Sequence, residues 1–264
     1  MLKKRLPRVI FIIVILIIGF TIELTAASTY RIMAASSLQE PLNEIKEKYE
    51  QEYRDYELDI NYAGSQVLFS QIKMGVDFDL FLSANHDYLK QLKKEDRIKA
   101  ETIFTKNELL IIINSQKNRV DNLEDLMSRG YSLLIGVESV PVGSYTIKMV
   151  DNYVNSISKK AKKDKFKSDF NSLVVSREFD VKSVLNKVKL GAADAGIVYL
   201  SDYNQDQDLY QVKIPKKFNV EANYYMGLNK NSSAGSEKIY NYILSSSAQQ
   251  IFLKYNFKRV KKYE

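Results

Sequence analysis

The sequence has no cysteine, no tryptophan and a single histidine, His86, among its 264 residues. Without cysteine there is no disulfide framework, no cysteine-ligated zinc or iron–sulfur site, no thiol nucleophile and no residue for a thioether-linked lipid. One histidine excludes metal sites built on histidine pairs and leaves one candidate for a histidine-based triad. Proline and glycine are scarce too, at four and ten residues. We therefore expect a globular protein that is not a lipoprotein and contains no flexible linker.

The first 27 residues have the order of a secretory signal peptide. Four basic residues lie within the first eight positions, an apolar stretch covers 9–22, and small residues follow at Ala26 and Ala27. The apolar stretch of about 14 residues is shorter than the roughly 20 needed to span a membrane. This favours a cleaved signal, with an uncleaved N-terminal anchor as the alternative. In both cases the rest of the chain is expected on the outer side of the cytoplasmic membrane.

The net charge of +7 divides into local clusters. Outside residues 1–27 the chain has 35 basic and 31 acidic residues, and two clusters stand out: Lys159, Lys160, Lys162, Lys163, Lys165 and Lys167, and near the C-terminus Lys258, Arg259, Lys261 and Lys262. Both are expected to be solvated surface, with contact to a permease or an anionic surface as the alternative. Local charge, together with export, argues against nucleic-acid binding.

Strand-like and helix-like patterns alternate along the exported part. Strands are predicted at 30–35, 58–63, 79–83, 108–114, 132–137, 173–176 and 195–199, and helices at 38–53, 66–75, 87–92, 145–154 and 181–190. The alternation predicts an α/β fold with mostly parallel sheets. About 235 exported residues with at least seven strands favour two lobes over a single sheet.

Four strand-to-helix junctions carry small or hydroxyl residues: 34–38 (AASSL), 62–65 (YAGS), 140–145 (VPVGSY) and 179–181 (FDV). In α/β sheets, ligands bind beyond the carboxyl ends of strands. The helix N-termini at such junctions present free N–H groups and the positive end of the helix dipole, which favour an anion. A serine at any one of them alone is more typical of an ordinary N-cap. Several together favour an anion-binding cleft.

Six segments, in this order, resemble the periplasmic molybdate-binding proteins of ABC importers. They are 34–38, then Gly64-Ser65 with Leu68 and Gln71-Ile72, then Gly75 through 79–84 (DLFLSA), then 140–145, then 196–199 (GIVY) with Ser201-Asp202, and finally 247–249 (SAQ) with 255–257 (YNF). The resemblance covers essentially the whole exported chain.

The resemblance implies a two-lobed, type II periplasmic-binding-protein-like fold with the ligand cleft between the lobes. Lobe 1 would comprise 28–107 plus 226–264, and lobe 2 would comprise 108–225. The implied function is capture of molybdate or tungstate and delivery to an ABC permease, without catalysis or a cofactor. We expect a monomer whose lobes close by a hinge.

The resemblance also implies the ligand contacts. They are the hydroxyls of Ser37, Ser65 and Tyr199 and the backbone N–H groups of Val142 and Val181, with Ser36 offering an extra hydroxyl. All are neutral donors, which replace the hydration shell of a buried oxyanion without burying a counter-charge. Molybdenum would be present only inside the bound oxyanion. Lys182 follows Val181, and helical geometry is expected to turn it outward.

The sequence departs from the family pattern at four positions, one of which is Ser36, where alanine is common. Gly64 replaces a frequent hydroxyl residue, Asn85 replaces an acidic residue, and Asn256 replaces a glycine, although asparagine tolerates the left-handed conformation of a helix end. Two other functions stay open. One is binding of sulfate or an organic anion on the same fold. The other is an enzyme, although no nucleophile and base assemble around His86, which is more typical of a surface or capping residue.

Overall fold

The computed structural model describes residues 27–203 and 207–260. The expected signal segment up to residue 26 and the basic residues Lys261 and Lys262 lie outside these ranges. Within them, nine strands β1–β9 span Ser28–Ala35, Tyr56–Ala63, Leu80–Ser83, Ile98–Asn114, Leu133–Gly136, Val174–Glu178, Ala195–Tyr199, Leu209–Lys213 and Glu221–Asn229. Nine described α-helices α1–α9 span Gln39–Glu52, Ser65–Lys73, His86–Lys94, Leu123–Ser128, Pro141–Ser156, Lys160–Leu173, Val181–Lys189, Ala234–Ile243 and Ser246–Lys254. Short 3-10 helices cover Ser36–Leu38 and Leu200–Asp202.

The strands form one sheet path in the order β2-β1-β3-β9-β4-β7-β5-β6, with β8 also paired to β4. The long strand β4 changes partners along its length. Its residues up to Glu108 pair with β9, and those from Leu109 onward pair with β7 and β8. This change divides the sheet into two parts. Strands β1–β3, β9 and residues 98–108, with α1–α3, α8 and α9, are called here the first half; residues 109–114 and β5–β8, with α4–α7, are the second half.

The prediction of an α/β fold is confirmed, and the sheet is mixed. Pairs β1-β2, β1-β3, β5-β6 and β5-β7 are parallel, whereas β3-β9, β4-β9, β4-β7 and β4-β8 are antiparallel. The parallel pairs are those that the alternating strand and helix patterns predict. The antiparallel pairs all involve β4 or β9, the two long strands that run beside each other through the middle of the sheet.

Buried strand ends explain why the halves fold as they do. Ile32 to Ala35 at the end of β1, all of β3 and all of β7 are buried, because helices cover both faces of these strands.

The predicted lobe boundaries remain a prediction. Strand β9 pairs within the first half over its whole length, Glu221–Asn229.

The structure shows where the lysine-rich segment and Asn256 lie. The lysine-rich segment forms the exposed start of α6, where Lys165 and Lys167 pair with Asp169 and Asp151. Asn256 follows α9 with a φ of 63°, the left-handed conformation expected for a residue in place of glycine. Over the described ranges, no helix combines the length and apolar character needed to cross a membrane.

Candidate functional site

A small cavity lies between the two halves, with about 250 Å³ of space not filled by atoms. All six residues proposed from the sequence line it: Ser36, Ser37, Ser65, Val142, Val181 and Tyr199. The first three come from the first half and the others from the second. Because that space includes part open to solvent, the cavity volume proper is only about 20 Å³. One water molecule needs roughly 10–15 Å³ on the same measure, so the cavity suits a small ion and not an organic ligand.

Ser37 is held by a buried tyrosine from a distant part of the chain. It follows β1 in the 3-10 helix Ser36–Leu38, and its Oγ lies 2.8 Å from Oη of Tyr224 in β9. Burial raises the pKa of Tyr224 well above its usual range, so the phenol stays protonated. When Tyr224 donates to Ser37, the serine proton is free to point into the cavity. No local sequence pattern points to Tyr224, which lies 187 positions from Ser37 along the chain.

Ser65 reaches the cavity from the first turn of α2, after β2 and Gly64. Its Oγ accepts the backbone N–H of Ala84 at 3.2 Å, so its own proton is available for a ligand. Gly64 allows the halves to approach, because a Cβ there would lie 2.8 Å from the carbonyl oxygen of Phe179 in the second half. The glycine that departs from the family pattern therefore lies at a point of close contact.

The second half contributes two helix N-termini. Val142 is the second residue of α5, after Pro141, and Val181 is the first residue of α7. First-turn N–H groups have no partner within their helix and carry the positive end of its dipole. Gly143 lets α5 start close to the strand end, since a Cβ there would lie 2.0 Å from the carbonyl oxygen of Val137.

Tyr199 ends β7, and its side chain is buried at 2% exposure. Its Oη makes no hydrogen bond with any residue of the described part of the chain. Burial raises its pKa well above the usual range, so it is a neutral O–H donor. The ring packs edge-on against Tyr145 and Tyr224. Its backbone N–H donates to Oδ2 of Asp202 at 3.1 Å, which fixes the strand end.

The cavity lining has no cationic residue and one carboxylate, Asp180. That carboxylate accepts the N–H of Ser183 at 2.9 Å and its hydroxyl at 2.8 Å, as the N-cap of α7. Lys182 does not line the cavity. The expectation that it turns away from the anion agrees with this lining. The side chain is nevertheless only 17% exposed, because it pairs with both Glu40 and Asp202.

His86 and metal binding can be judged from the same geometry. His86 starts α3 and stacks on Tyr225 with ring centroids 4.1 Å apart, and its Nε2 lies 3.5 Å from Glu101. It does not line the cavity. Asn85 caps α3 by accepting the N–H of Asp87. Across the part of the chain that the structure describes, no group of three or more histidine and acidic residues is arranged to hold a metal cation.

Direct contacts close the two halves onto the cavity. Gln66 donates to the carbonyl oxygen of Phe179 at 2.7 Å, Tyr88 to that of Ser139 at 2.9 Å, and Tyr145 to that of Ala84 at 3.2 Å. Each joins one half to the other. The arrangement therefore encloses a small space surrounded by neutral O–H and N–H donors, which is suited to holding an anion away from water.

Residues 30–258 match the family model described as "Bacterial extracellular solute-binding protein". The chain belongs to this family. A solute-binding protein binds its ligand without transforming it, so the expectations of no enzymatic activity and no cofactor are confirmed by membership. The family assignment also places the protein among extracellular proteins.

Relatives of this solute-binding protein support the resemblance to the molybdate-binding group. A putative ABC transporter substrate-binding lipoprotein of Bacillus subtilis is 30% identical over 87% of this chain and 86% of its own. The molybdate-binding protein ModA of Haemophilus influenzae is 25% identical over 96% of this chain and 98% of its own. A solved substrate-binding domain of a putative molybdenum ABC transporter from Clostridium difficile is 28% identical, with a TM-score of 0.68 over 88% of this chain and 99% of its own.

Proposed function

We propose that this solute-binding protein captures molybdate or tungstate and delivers the oxyanion to an ABC permease. The observation that carries the proposal is the buried Tyr199 hydroxyl, which lines the cavity beside Tyr224 and makes no hydrogen bond of normal geometry to the residues that the structure describes. A buried donor left unsatisfied costs about 1–3 kcal/mol, so a ligand that accepts from it gains that much in binding. An oxyanion is such an acceptor.

The other donors support the same ligand. Ser65 accepts the N–H of Ala84, which leaves its proton for the cavity, and Ser37 has the same freedom when Tyr224 is the donor of the hydrogen bond between the two hydroxyls. Val142 and Val181 add backbone N–H groups. Five donors from several directions suit a tetrahedral anion. Two relatives, one named as molybdate-binding and the other as part of a putative molybdenum transporter, favour this anion over sulfate.

Binding would be coupled to closure of the two halves. The serines belong to the first half, and Val142, Val181 and Tyr199 belong to the second. An anion that contacts both halves binds the closed state more tightly than the open one and therefore shifts the population toward it. We propose that the two halves move as the bodies of this hinge. They correspond to the predicted lobes, 28–107 plus 226–264 and 108–225, except that residues 108 and 221–225 belong with the first half.

Export and delivery complete the proposal. Residues 1–27 would act as a cleaved signal peptide, and the remainder would work as a monomer outside the cytoplasmic membrane. The Bacillus subtilis relative is named a lipoprotein. The present sequence contains no cysteine to which such a lipid would be joined. We therefore propose that the protein meets its permease without a lipid anchor.

Thermal unfolding of the purified protein with a panel of anions tests the proposal. Molybdate and tungstate at about 100 times their Kd should stabilise the protein by about 2.7 kcal/mol. This corresponds to a rise in Tm of roughly 5–10 °C for a protein of this size. Sulfate, phosphate and chromate should give smaller shifts. If Tm rises only with sulfate or an organic anion, that anion and not molybdate is the ligand. If Tm rises with no anion, the proposal is contradicted.

Serine variants test the site itself. Ser37→Ala combined with Ser65→Ala should abolish the shift with molybdate and leave the unliganded fold intact. A matched control is Ser70→Ala with Ser128→Ala, since these exposed serines bond only to carbonyl groups of their own helices. Unchanged molybdate affinity in the first double variant, measured by calorimetry, would refute the site assignment.

A further inference from the structure

Three charged side chains form a continuous chain at the edge of the cleft. Lys182 Nζ lies 3.0 and 2.9 Å from the two carboxylate oxygens of Glu40 and 3.3 Å from Oδ1 of Asp202. Glu40 belongs to α1 in the first half, whereas Lys182 and Asp202 belong to the second. The Glu40–Lys182 pair therefore exists only while the halves are together.

Each member of this chain adjoins a residue that supplies a donor to the cavity. Lys182 directly follows Val181 at the start of α7. Asp202 accepts the backbone N–H of Tyr199 and so fixes the end of β7. Glu40 lies in the first turn of α1, directly after the 3-10 helix that carries Ser36 and Ser37. The ion pairs thus connect three of the segments that surround the ligand.

Burial gives these ion pairs more weight than an ordinary surface pair. The side chain of Asp202 is fully buried and that of Lys182 is 17% exposed, whereas Glu40 is 45% exposed. Asp202 keeps Lys182 in place in both open and closed states because the two share a half. Parting of the halves removes only Glu40 from a lysine that is already positioned. Forming the pair with Glu40 at closure therefore does not cost the side-chain entropy of ordering Lys182, because Asp202 has already ordered it.

The charge balance of the chain matters as well. One ammonium faces two carboxylates, so the cluster carries no net positive charge. It can hold the halves together without adding a cation to the cavity lining. The neutral donors of the cavity then select the ligand, and the ion pairs strengthen closure without contacting it.

We propose that Glu40 and Lys182, positioned by Asp202, form a closure latch that slows release of the bound anion. The proposal rests on the proposed function for its ligand. The three residues are positioning residues, since none of them lines the cavity. The latch acts on how long the halves stay together.

The main test is Glu40→Gln, compared with Glu44→Gln. Glu44 lies one turn further along α1 and pairs with Lys48 and Lys254 inside the first half, so it controls for loss of a carboxylate on the same helix. In stopped-flow measurements with molybdate, Glu40→Gln should release the anion about three to five times faster and raise Kd by a similar factor. Glu44→Gln should leave both within experimental error of the wild type.

A double-variant cycle separates the latch from a general loss of structure. Lys182→Met removes the same contact across the cleft but also leaves Asp202 without its cation. In the Lys182→Met background, Glu40→Gln should have almost no further effect on Kd. If Glu40→Gln raises Kd by the same factor in the wild-type and Lys182→Met backgrounds, the proposal of a latch is refuted.

A measurement without any anion keeps the latch testable independently of the ligand. The sequence has no cysteine, so Met74→Cys and Leu190→Cys, at positions 78% and 84% exposed, would carry the only spin labels, one on each half. Pulsed electron resonance should show longer distances between labels when Glu40→Gln is added, and no change with Glu44→Gln.

The outcomes distinguish the two proposals. If the wild type binds no oxyanion, the proposed function fails, and the distances between labels still decide on the latch. If the wild type binds molybdate and Glu40→Gln behaves like Glu44→Gln in both release rate and distance, the latch is wrong and the proposed function stands.

Discussion

Replacement of Tyr199 by phenylalanine separates ligand binding from fold stability. The substitution removes one oxygen and leaves the buried ring, its edge contacts with Tyr145 and Tyr224, and the backbone hydrogen bond to Asp202 in place. Because the hydroxyl has no partner within the described part of the chain, no hydrogen bond of the protein is lost. The free energy of unfolding of the unliganded protein should therefore change by less than about 1 kcal/mol.

The effect on the anion should be much larger. A hydrogen bond to a charged group contributes about 1.5–3 kcal/mol. Loss of this donor should raise the Kd for molybdate by about 10-fold to 150-fold. Titration calorimetry measures the Kd, and urea unfolding without ligand measures the stability.

Tyr153→Phe is the matched control. Tyr153 in α5 is also a buried tyrosine whose hydroxyl has no described partner, but it does not line the cavity. Its substitution should leave the Kd unchanged. The reasoning is refuted if Tyr199→Phe binds molybdate as the wild type does, or if its loss of affinity matches that of Tyr153→Phe.

Three further outcomes are expected. Gly143→Ala should lower the free energy of urea unfolding by about 1–3 kcal/mol, because the new Cβ would lie 2.0 Å from the carbonyl oxygen of Val137. Gly64→Ala should raise the Kd for molybdate in calorimetry with little loss of stability, because its Cβ would oppose Phe179 only across the closed cleft. Burial raises the pKa of Asp202 from 3.8 to about 6. The folded state therefore binds the carboxyl proton more tightly than the unfolded chain does. The resulting contribution to the free energy of unfolding is fully present below about pH 4 and is lost as the pH rises through 6. Asp202→Asn should remove that part of the pH dependence of unfolding.

The sequence predicted the cavity lining well because its donors lie at strand-to-helix junctions. Small residues and serines before a helical pattern are local signals, and in a parallel pair the carboxyl ends of strands meet at one edge. Segments 34–38, 62–65, 140–145 and 179–181 therefore converge without any knowledge of the long-range contacts. The residues that support this lining, such as Tyr224 behind Ser37, are set by pairings distant in sequence and carry no local signal.

The long strands were harder to predict for a related reason. Only 108–114 of β4 is predicted, because that part is a continuous apolar run, whereas the part from Ile98 is only partly buried and has polar and charged residues among its apolar ones. Strands β8 and β9 and helices α4, α6, α8 and α9 are not predicted. Strand β9 is defined by its antiparallel partners β3 and β4, more than 100 residues earlier in the chain. Such tertiary pairing is not encoded in a short window of sequence.

Lys182 illustrates the same limit at the level of one side chain. Helical geometry alone turns it away from the anion, and the cavity lining agrees with that. Its partner across the cleft, Glu40, lies 142 positions earlier in the chain. Only the folded arrangement identifies the residue as a bridge between halves.

The central claim is that an oxyanion lies between the two halves, held by neutral donors. Crystals grown with tungstate test it most directly, because the anomalous scattering of tungsten locates the metal atom independently of the protein phases. We expect one dominant peak in the cavity, with oxyanion oxygens within hydrogen-bond distance of Ser37, Ser65 and Tyr199. A dominant peak at the lysines of α6, or no ordered tungsten, would contradict it.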